Sequence, residues 1–579
     1  MENRLVYGYT LEAGCSHLFA SSAEMQQADG PANSMLSNSA AALPNGPFQA
    51  HASLMRVRWF SVSVCILILS FAPAGVVGAN NQEIRIAISD SDLELNPLYA
   101  YVVTEAQVLT GLHEGLVSYN PLTLEPVPGI ARNWSASEDE RTYTFDLRPD
   151  ARYSNGDRVT AEDVRATWLA LLELGDEAPY AGLFDIIEGA RDYRRGDTDD
   201  SDTVGIRAPD DLTLEVELRR PAGHFVNMIA HHSFGVLHPD MRDRRDHNNP
   251  EEFIGNGAFV LAELTSDELV LEKNPEYWAQ GAVESDRVVF ERFSDSVEAT
   301  DRYFAGDIDW NAGPIAFDMI TDDRHLVVNS MFGTTFYYIR AEVEPWDDPR
   351  VRRALALLLP WDEIREEDAY FSPTHRLVPG IPDYPDVEGL REQDRGEALD
   401  LLEDAGYPDG DGLPDPLIRI PGGADAERIA SIMADAWNTV GLESQIETVP
   451  FPGYFDAAGE PEVTVGQFSW IGDYSDPLTF LQLFTSDSNL NEAGFRNEDY
   501  DELIEQAIPL EGTGRFERMA EAEQLLLESG TILPISHSAA FNLIDLDSVE
   551  GWFPNALDIH PVRYLRRTPE APAPDLIRF

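Results

Sequence analysis

The chain has 579 residues, more than one hydrophobic core holds, so two or three domains are expected. Its 41 basic and 103 acidic residues leave a formal net charge of −62, a surface that repels nucleic acid and anionic lipid and excludes both as partners. A hydrophobic share of 43% excludes a disordered chain.

Residues 1–54 are rich in Ser, Ala, Gly and Asn and lack periodicity, as a disordered or mis-assigned N-terminal extension would. Met55-Arg-Val-Arg58 then gives a short basic start and Trp59 to Ala72 an apolar run. Val77-x-Ala79 puts small residues at a cleavage position, so 55–79 reads as a signal peptide for periplasmic export. The apolar run is short for a membrane helix. Both cysteines, Cys15 and Cys65, precede the expected cut, which would leave the mature chain without disulfides or thiolate chemistry. The acidity runs the length of the chain, and Lys273 is the single lysine. That pattern suits molar salt, where a Debye length of about 3 Å screens self-repulsion. A melting temperature unchanged in low-salt buffer would sink this halophilic reading.

Past the leader, Ile84-Arg-Ile-Ala-Ile88 alternates like an opening strand. Thr104 to Leu116 is expected as a helix, with Val108, Leu109, Leu112 and Leu116 on one face. Thr142 to Leu147 reads as a half-buried strand with Tyr143, Phe145 and Leu147 pointing one way. Asn155-Gly156 marks a turn. Thr160 with Asp163 reads as a capped start for a helix through Leu174. Leu212–Leu218 and Glu268–Glu272 alternate as strands. Asp348-Pro349 opens a helix carrying Val351, Ala354, Leu355 and Leu358. Ile429, Ile432, Met433, Ala436, Trp437 and Val440 follow helical spacing up to a stop at Gly441, and a strand is expected from Leu442 to Val449. The mixture, without repeats or a long linker, is a mixed α/β class with more than one lobe.

No G-x-S-x-G, H-E-x-x-H, phosphate loop or dinucleotide fingerprint occurs. His231-His232 with His238 lacks the spacing of a helical metal pair and reads as a packed or surface cluster. Asp409 to Asp415 looks like half a calcium loop without its distal Glu, an acidic turn instead. Neither enzyme chemistry, a metal nor a cofactor is therefore expected.

The stretch from Ser469 to Phe484 is the most informative. It sets Trp470 three residues ahead of Asp473 in a Gly/Asp/Ser/Pro-rich turn: a flat apolar wall beside one carboxylate. That pair suits a ligand with a cationic amine, although a surface turn over a buried Trp has the same pattern.

Taken in order, several blocks resemble the oligopeptide- and dipeptide-binding family, the extracytoplasmic solute-binding proteins of peptide ABC importers. They are Leu112-His-Glu-Gly-Leu116, Pro128-Gly-Ile-Ala-Arg-Asn-Trp134, Tyr143-Thr-Phe-Asp-Leu-Arg148 and Tyr153-Ser-Asn-Gly-Asp-Arg-Val-Thr-Ala-Glu-Asp163. Gly255-Asn-Gly-Ala-Phe259, Leu271-Glu-Lys-Asn-Pro-Glu-Tyr-Trp278, Tyr303-Phe-Ala-Gly-Asp-Ile-Asp309, Asp348-Pro-Arg-Val-Arg-Arg-Ala-Leu355 and the Trp470/Asp473 segment follow. The resemblance spans residues 84–579.

It implies a two-lobed periplasmic-binding-protein fold of type II, closing like a hinged clamp, with an extra subdomain inserted in lobe I. Lobe I would comprise 80–125, 256–335 and 540–579, the insert 126–255 and lobe II 336–539, with crossings near Thr335 and Ser538. By the same resemblance Asp473 pairs with a peptide's α-amino group and Trp470 walls a side-chain pocket. Ser469 and Ile471 lie in a segment offering backbone hydrogen bonds to an extended ligand; Val103, through its backbone, and Tyr180 face it. A permease in the membrane would be the partner of a monomeric carrier.

Three positions depart from the family. Gln467 stands where oligopeptide binders carry an Arg for the ligand's carboxylate, another carboxylate-pairing His is replaced near Ala426, and Ser536 to Ser538, around His537, replace a Tyr-rich stretch. Either longer peptides leave their C-termini in solvent, or the ligand is an oligosaccharide, an opine or a metal chelate. A secreted hydrolase or chaperone-like protein is the alternative of another class, and it lacks a nucleophile or metal constellation.

Overall fold

A computed structural model describes residues 82–320, 323–366, 371–450 and 453–568. The expected extension, the expected signal peptide, both cysteines and the last residues of the expected third lobe I segment lie outside the described residues.

The backbone is organised by one mixed sheet that, among the described residues, has eleven strands. In order across the sheet they are Gln445–Thr448, Leu417–Ile420, Val465–Ile471, Leu326–Ile339, Ile532–Ile544, Trp310–Asn311, Glu83–Ser89, Arg287–Phe293, Glu268–Lys273 and Phe259–Leu264. Ser372–Pro373 attaches to Ile532–Ile544 off that path. Parallel pairs occur towards each end: Glu83–Ser89 beside Arg287–Phe293, and Leu417–Ile420 beside Gln445–Thr448. The Leu326–Ile339 and Ile532–Ile544 strands, 14 and 13 residues long, pair antiparallel and join the two ends. Their ladder breaks register between Ser330 and Thr334 and again between Thr335 and Phe336. Such breaks bend a strand locally.

A separate four-stranded antiparallel sheet holds Ala131–Ala136, Thr142–Leu147, Thr213–Glu217 and Ile206–Asp210. Its Thr142–Leu147 strand alternates as expected, with Tyr143, Phe145 and Leu147 buried. The helix Ala161–Glu173 starts on the expected reciprocal cap. Thr160 Oγ1 accepts from the Asp163 N–H at 3.2 Å, and Asp163 Oδ2 accepts from the Thr160 N–H at 2.8 Å. Pro349–Leu357 begins with its proline in the first turn behind Asp348, again as expected.

Two boundaries differ from expectation. The first helix runs Val103–Leu112 and stops four residues early. Asn256 brackets the next turn, with its Oδ1 accepting from the Glu114 N–H and its Nδ2 donating to Glu114 O, both at 2.9 Å, so the backbone is spent on a tertiary partner. Leu116 then packs in a different apolar cluster from Leu112. The helix expected to reach Gly441 runs Ala424–Asn438, and the strand after it is only Gln445–Thr448, every residue of it exposed. An exposed edge strand has no face to bury and shows no clean alternation.

The largest apolar cluster draws on residues 98–237 and on 332–532 together, including Phe145, Trp168, Phe184, Phe336, Trp470 and Phe480. Polar contacts join the same two regions. Arg191 and Arg195 pair with Asp487, Arg220 pairs with Glu505, and the rings of His224 and Tyr474 stack with centroids 5.9 Å apart. No helix among the described residues is long and apolar enough to cross a membrane.

Candidate functional site

Asp473 lies two residues beyond the Val465–Ile471 strand, on the border between these two regions. Its N–H donates to Thr479 Oγ1 at 2.8 Å, and that hydroxyl donates back to Asp473 Oδ2 at 3.1 Å. From the other region the Tyr180 hydroxyl bonds to the same carboxylate, and His231 Nε2 lies 3.8 Å from Oδ1. The Asp473 side chain is 4% exposed, and burial raises its pKa to about 7 against the opposing hydrogen bonds from Thr479 and Tyr180. Among the described residues no arginine or lysine pairs with it. The rings around it stay neutral: burial, and then His232, pushes His231 well down, and burial pushes Tyr180 well up.

The wall beside the carboxylate is aromatic. Trp470 is buried, its centroid 6.3 Å from Tyr101 and 6.5 Å from Phe468, with which it stacks. Tyr101 also meets Tyr180 at 6.3 Å and Phe455 edge-on at 5.5 Å. Trp470 Nε1 is buried and has no hydrogen-bond partner among the described residues.

Strand register sets what the backbone offers. The Leu417–Ile420 strand pairs with Val465–Ile471 only at Val465 and Gly466, leaving the stretch beyond uncovered on that edge. The Gly472 N–H donates to Phe332 O at 2.7 Å, so even-numbered residues here turn their polar groups towards the Leu326–Ile339 strand. Alternation turns the N–H and C=O groups of Gln467, Ser469 and Ile471 the other way, to the uncovered edge. At Gln467 both are taken by one hydroxyl: its N–H donates to Tyr454 Oη at 2.7 Å and its C=O accepts from it at 2.8 Å. Ser469 and Ile471 are left presenting an open edge next to Trp470.

Of the residues singled out from the sequence, Asp473, Trp470, Ser469, Ile471 and Tyr180 are thus brought together. Val103 opens its helix, and its side chain packs with Ala106, Tyr119, Leu557 and Ile559; Tyr101, two residues earlier, is what reaches the aromatic wall. Sequence reasoning missed Tyr101, Phe455 and Thr479, and it treated His231 only as part of a packed cluster. His231 and His232 do pack, with centroids 4.0 Å apart, and among the described residues no group of three or more metal-ligating side chains converges. Of the departures, Ala426 is buried on its helix, and Gln467 Oε1 is buried without a hydrogen-bond partner among the described residues. A cavity of about 300 Å³ opens between the two regions past His224, lined by Arg219, Arg220, Leu478 and Glu505; Asp473 and Trp470 do not line it.

Residues 125–492 match the family described as bacterial extracellular solute-binding proteins, family 5, middle region. The chain is 31% identical to the periplasmic murein peptide-binding protein MppA of Escherichia coli over 82% of its own length and 93% of that protein's. It is 28% identical to the periplasmic oligopeptide-binding protein OppA of Salmonella typhimurium over 82% and 90%. The structure superposes on that of the E. coli murein tripeptide binding protein with a TM-score of 0.75 at 29% identity, covering 84% and 99% of the two chains. On Haemophilus influenzae OppA in complex with the peptide RPPGFSPFR the TM-score is 0.73 at 26% identity, covering 84% and 99%. The fold is therefore the mixed α/β solute-binding fold with an extra domain.

Proposed function

The chain belongs to the bacterial extracellular solute-binding proteins, family 5, and from that premise we propose that it captures oligopeptides in the periplasm for an ABC importer. It turns nothing over; it hands its ligand to a membrane permease. One observation carries the reading: a buried carboxylate with no cationic partner among the described residues stands at the head of an open strand edge. A peptide supplies what both lack. Its α-ammonium pairs with Asp473, and its extended backbone adds to the edge at Ser469 and Ile471. Trp470, Tyr180 and Tyr101 bound the first side chain. The ligand closes between the two regions, which on this reading are the lobes of the clamp, with residues near Thr335 and Ser538 as crossings. Because the grip is on the amine and the main chain, side-chain preference is broad.

Mass spectrometry of what is released on denaturing protein purified from its host's periplasm tests this. A ladder of peptides with free N-termini is expected. One defined non-peptide, or nothing from well-folded protein, would overturn the reading.

A further inference from the structure

The cavity of about 300 Å³ past His224 lies apart from the open strand edge and has a chemistry of its own. Its walls come from residues 179–228 of one region and 478–508 of the other. Leu183, Ile186, Met228, Leu478, Leu483 and Ile504 give it an aliphatic side. Arg191, Arg194, Arg219 and Arg220 line it together with the acids Asp185, Asp487, Asp501 and Glu505. That even balance of charge departs from a chain with 41 basic and 103 acidic residues.

Most of these groups are spent on one another. Arg194 Nε and Nη2 donate to the two oxygens of Asp185 at 2.9 and 2.8 Å. Arg191 pairs with Asp487, and Arg220 grips both oxygens of Glu505. One cation and one anion are left. Arg219 makes no side-chain hydrogen bond among the described residues, and its Nε is buried. Its acid neighbour is Glu505, 3.9 Å from Nη2 and already held by Arg220. Asp501 accepts from the Ser486 N–H at 3.0 Å and has no ion pair among the described residues.

An aliphatic wall beside an unspent guanidinium and an unspent carboxylate matches a small zwitterion with an apolar side chain. Its carboxylate takes Arg219 and its ammonium takes Asp501. A molecule of the same shape with a single charge leaves one of the two unmatched. The cavity also reaches the amine site from behind. His224 lines it and stacks on Tyr474, the neighbour of Asp473, with centroids 5.9 Å apart. Leu478 lines it too, and it precedes Thr479, whose hydroxyl donates to Asp473. A molecule that touches both regions binds their closed arrangement better than an open one, and so favours closure.

We propose that this cavity binds one free amino acid with an aliphatic side chain, through Arg219 and Asp501, and that the bound amino acid strengthens the hold on peptide by favouring closure. The site is additional to the peptide edge, since neither Asp473 nor Trp470 lines it.

Calorimetric titration of the full chain with L-leucine, 4-methylpentanoate and L-leucinamide tests it, because the last two each lack one of the charges. Leucine is expected to bind about tenfold or more tighter than either. Arg219→Gln should remove its advantage over leucinamide, and Asp501→Asn its advantage over 4-methylpentanoate, with thermal melts like that of the wild type. Without leucine both variants should bind trialanine within about twofold of wild type, and saturating leucine should raise the wild-type affinity for trialanine about fivefold or more. No binding of leucine, or equal binding of all three compounds, overturns the inference. So does competition between leucine and trialanine, which would put leucine at Asp473. Where a variant fails to fold, the wild-type comparison of the three compounds decides alone, whether or not trialanine binds.

Discussion

His231 Nε2 lies 3.8 Å from Asp473 Oδ1, and the two side chains are only 5% and 4% exposed. Geometrically this resembles an ion pair. Electrostatically it is not one, because burial and the neighbouring His232 keep the imidazole neutral while burial keeps the carboxyl hard to ionise. On the peptide reading, the countercharge for Asp473 arrives with the ligand.

Asp473→Asn should weaken free-amine peptides by about a hundred-fold to a few thousand-fold, about 3–5 kcal/mol, the scale for removing one partner of a buried charge pair. N-acetylated peptides lack the ammonium and should change far less. Titrating both forms against both proteins checks this; equal losses would reject the amine role.

Proton uptake and release give an independent test. With Asp473 raised to about 7, ligand-free protein at pH 5.5 holds a proton there that an arriving ammonium must displace. Calorimetry in buffers of different ionisation enthalpy should find close to one proton released at pH 5.5 and much less at pH 8. The stability sign follows. A folded pKa above the unfolded carboxyl value makes this group's contribution fullest below about 4, and it is lost as pH rises to about 7. Ligand-free Asp473→Asn, which mimics the protonated form, should melt several degrees above wild type at pH 8 and converge on it near pH 4.

Much of this site was legible in the sequence because it is local. Trp470 and Asp473 fall within four residues, and a strand running into a turn presents them together. What was illegible is what arrives from afar. Tyr101 and His231 reach Asp473 and Trp470 only because the region of residues 98–237 packs on that of 332–532, and no spacing along the chain encodes that. The fold shows the same division. The strands Glu83–Ser89 and Thr142–Leu147 and the Thr160 cap follow from patterns within a few residues. The early stop at Leu112 depends on Asn256, 142 positions away from the Glu114 it holds.

Trp470→Ala should cost both stability and affinity. Removing a buried indole leaves a cavity worth about 3–5 kcal/mol. The loss in affinity should be similar for free-amine and acetylated peptides, since packing and not charge is removed. Thermal melts and paired titrations separate the two effects; a loss confined to free-amine peptides would contradict it.

Arg191, Arg195 and Arg220 should hold the two regions together through Asp487 and Glu505. These acids are 33% and 51% exposed, so each pair is worth at most about 1 kcal/mol in water. Asp487→Asn with Glu505→Gln should therefore lower peptide affinity by about fivefold and enlarge the ligand-free protein in small-angle scattering. The enlargement should vanish at molar salt, where the wild-type pairs are screened as well.

The open edge at Ser469 and Ile471 has a second consequence. An unpaired strand edge accepts any extended chain, including another copy of the same protein, and on an outer face it would nucleate aggregation. Here it lies next to the buried Trp470, in a molecule whose net charge of −62 drives copies apart. Like-charge repulsion between two such acidic chains therefore opposes edge-to-edge pairing of copies, and a short peptide carries no comparable charge.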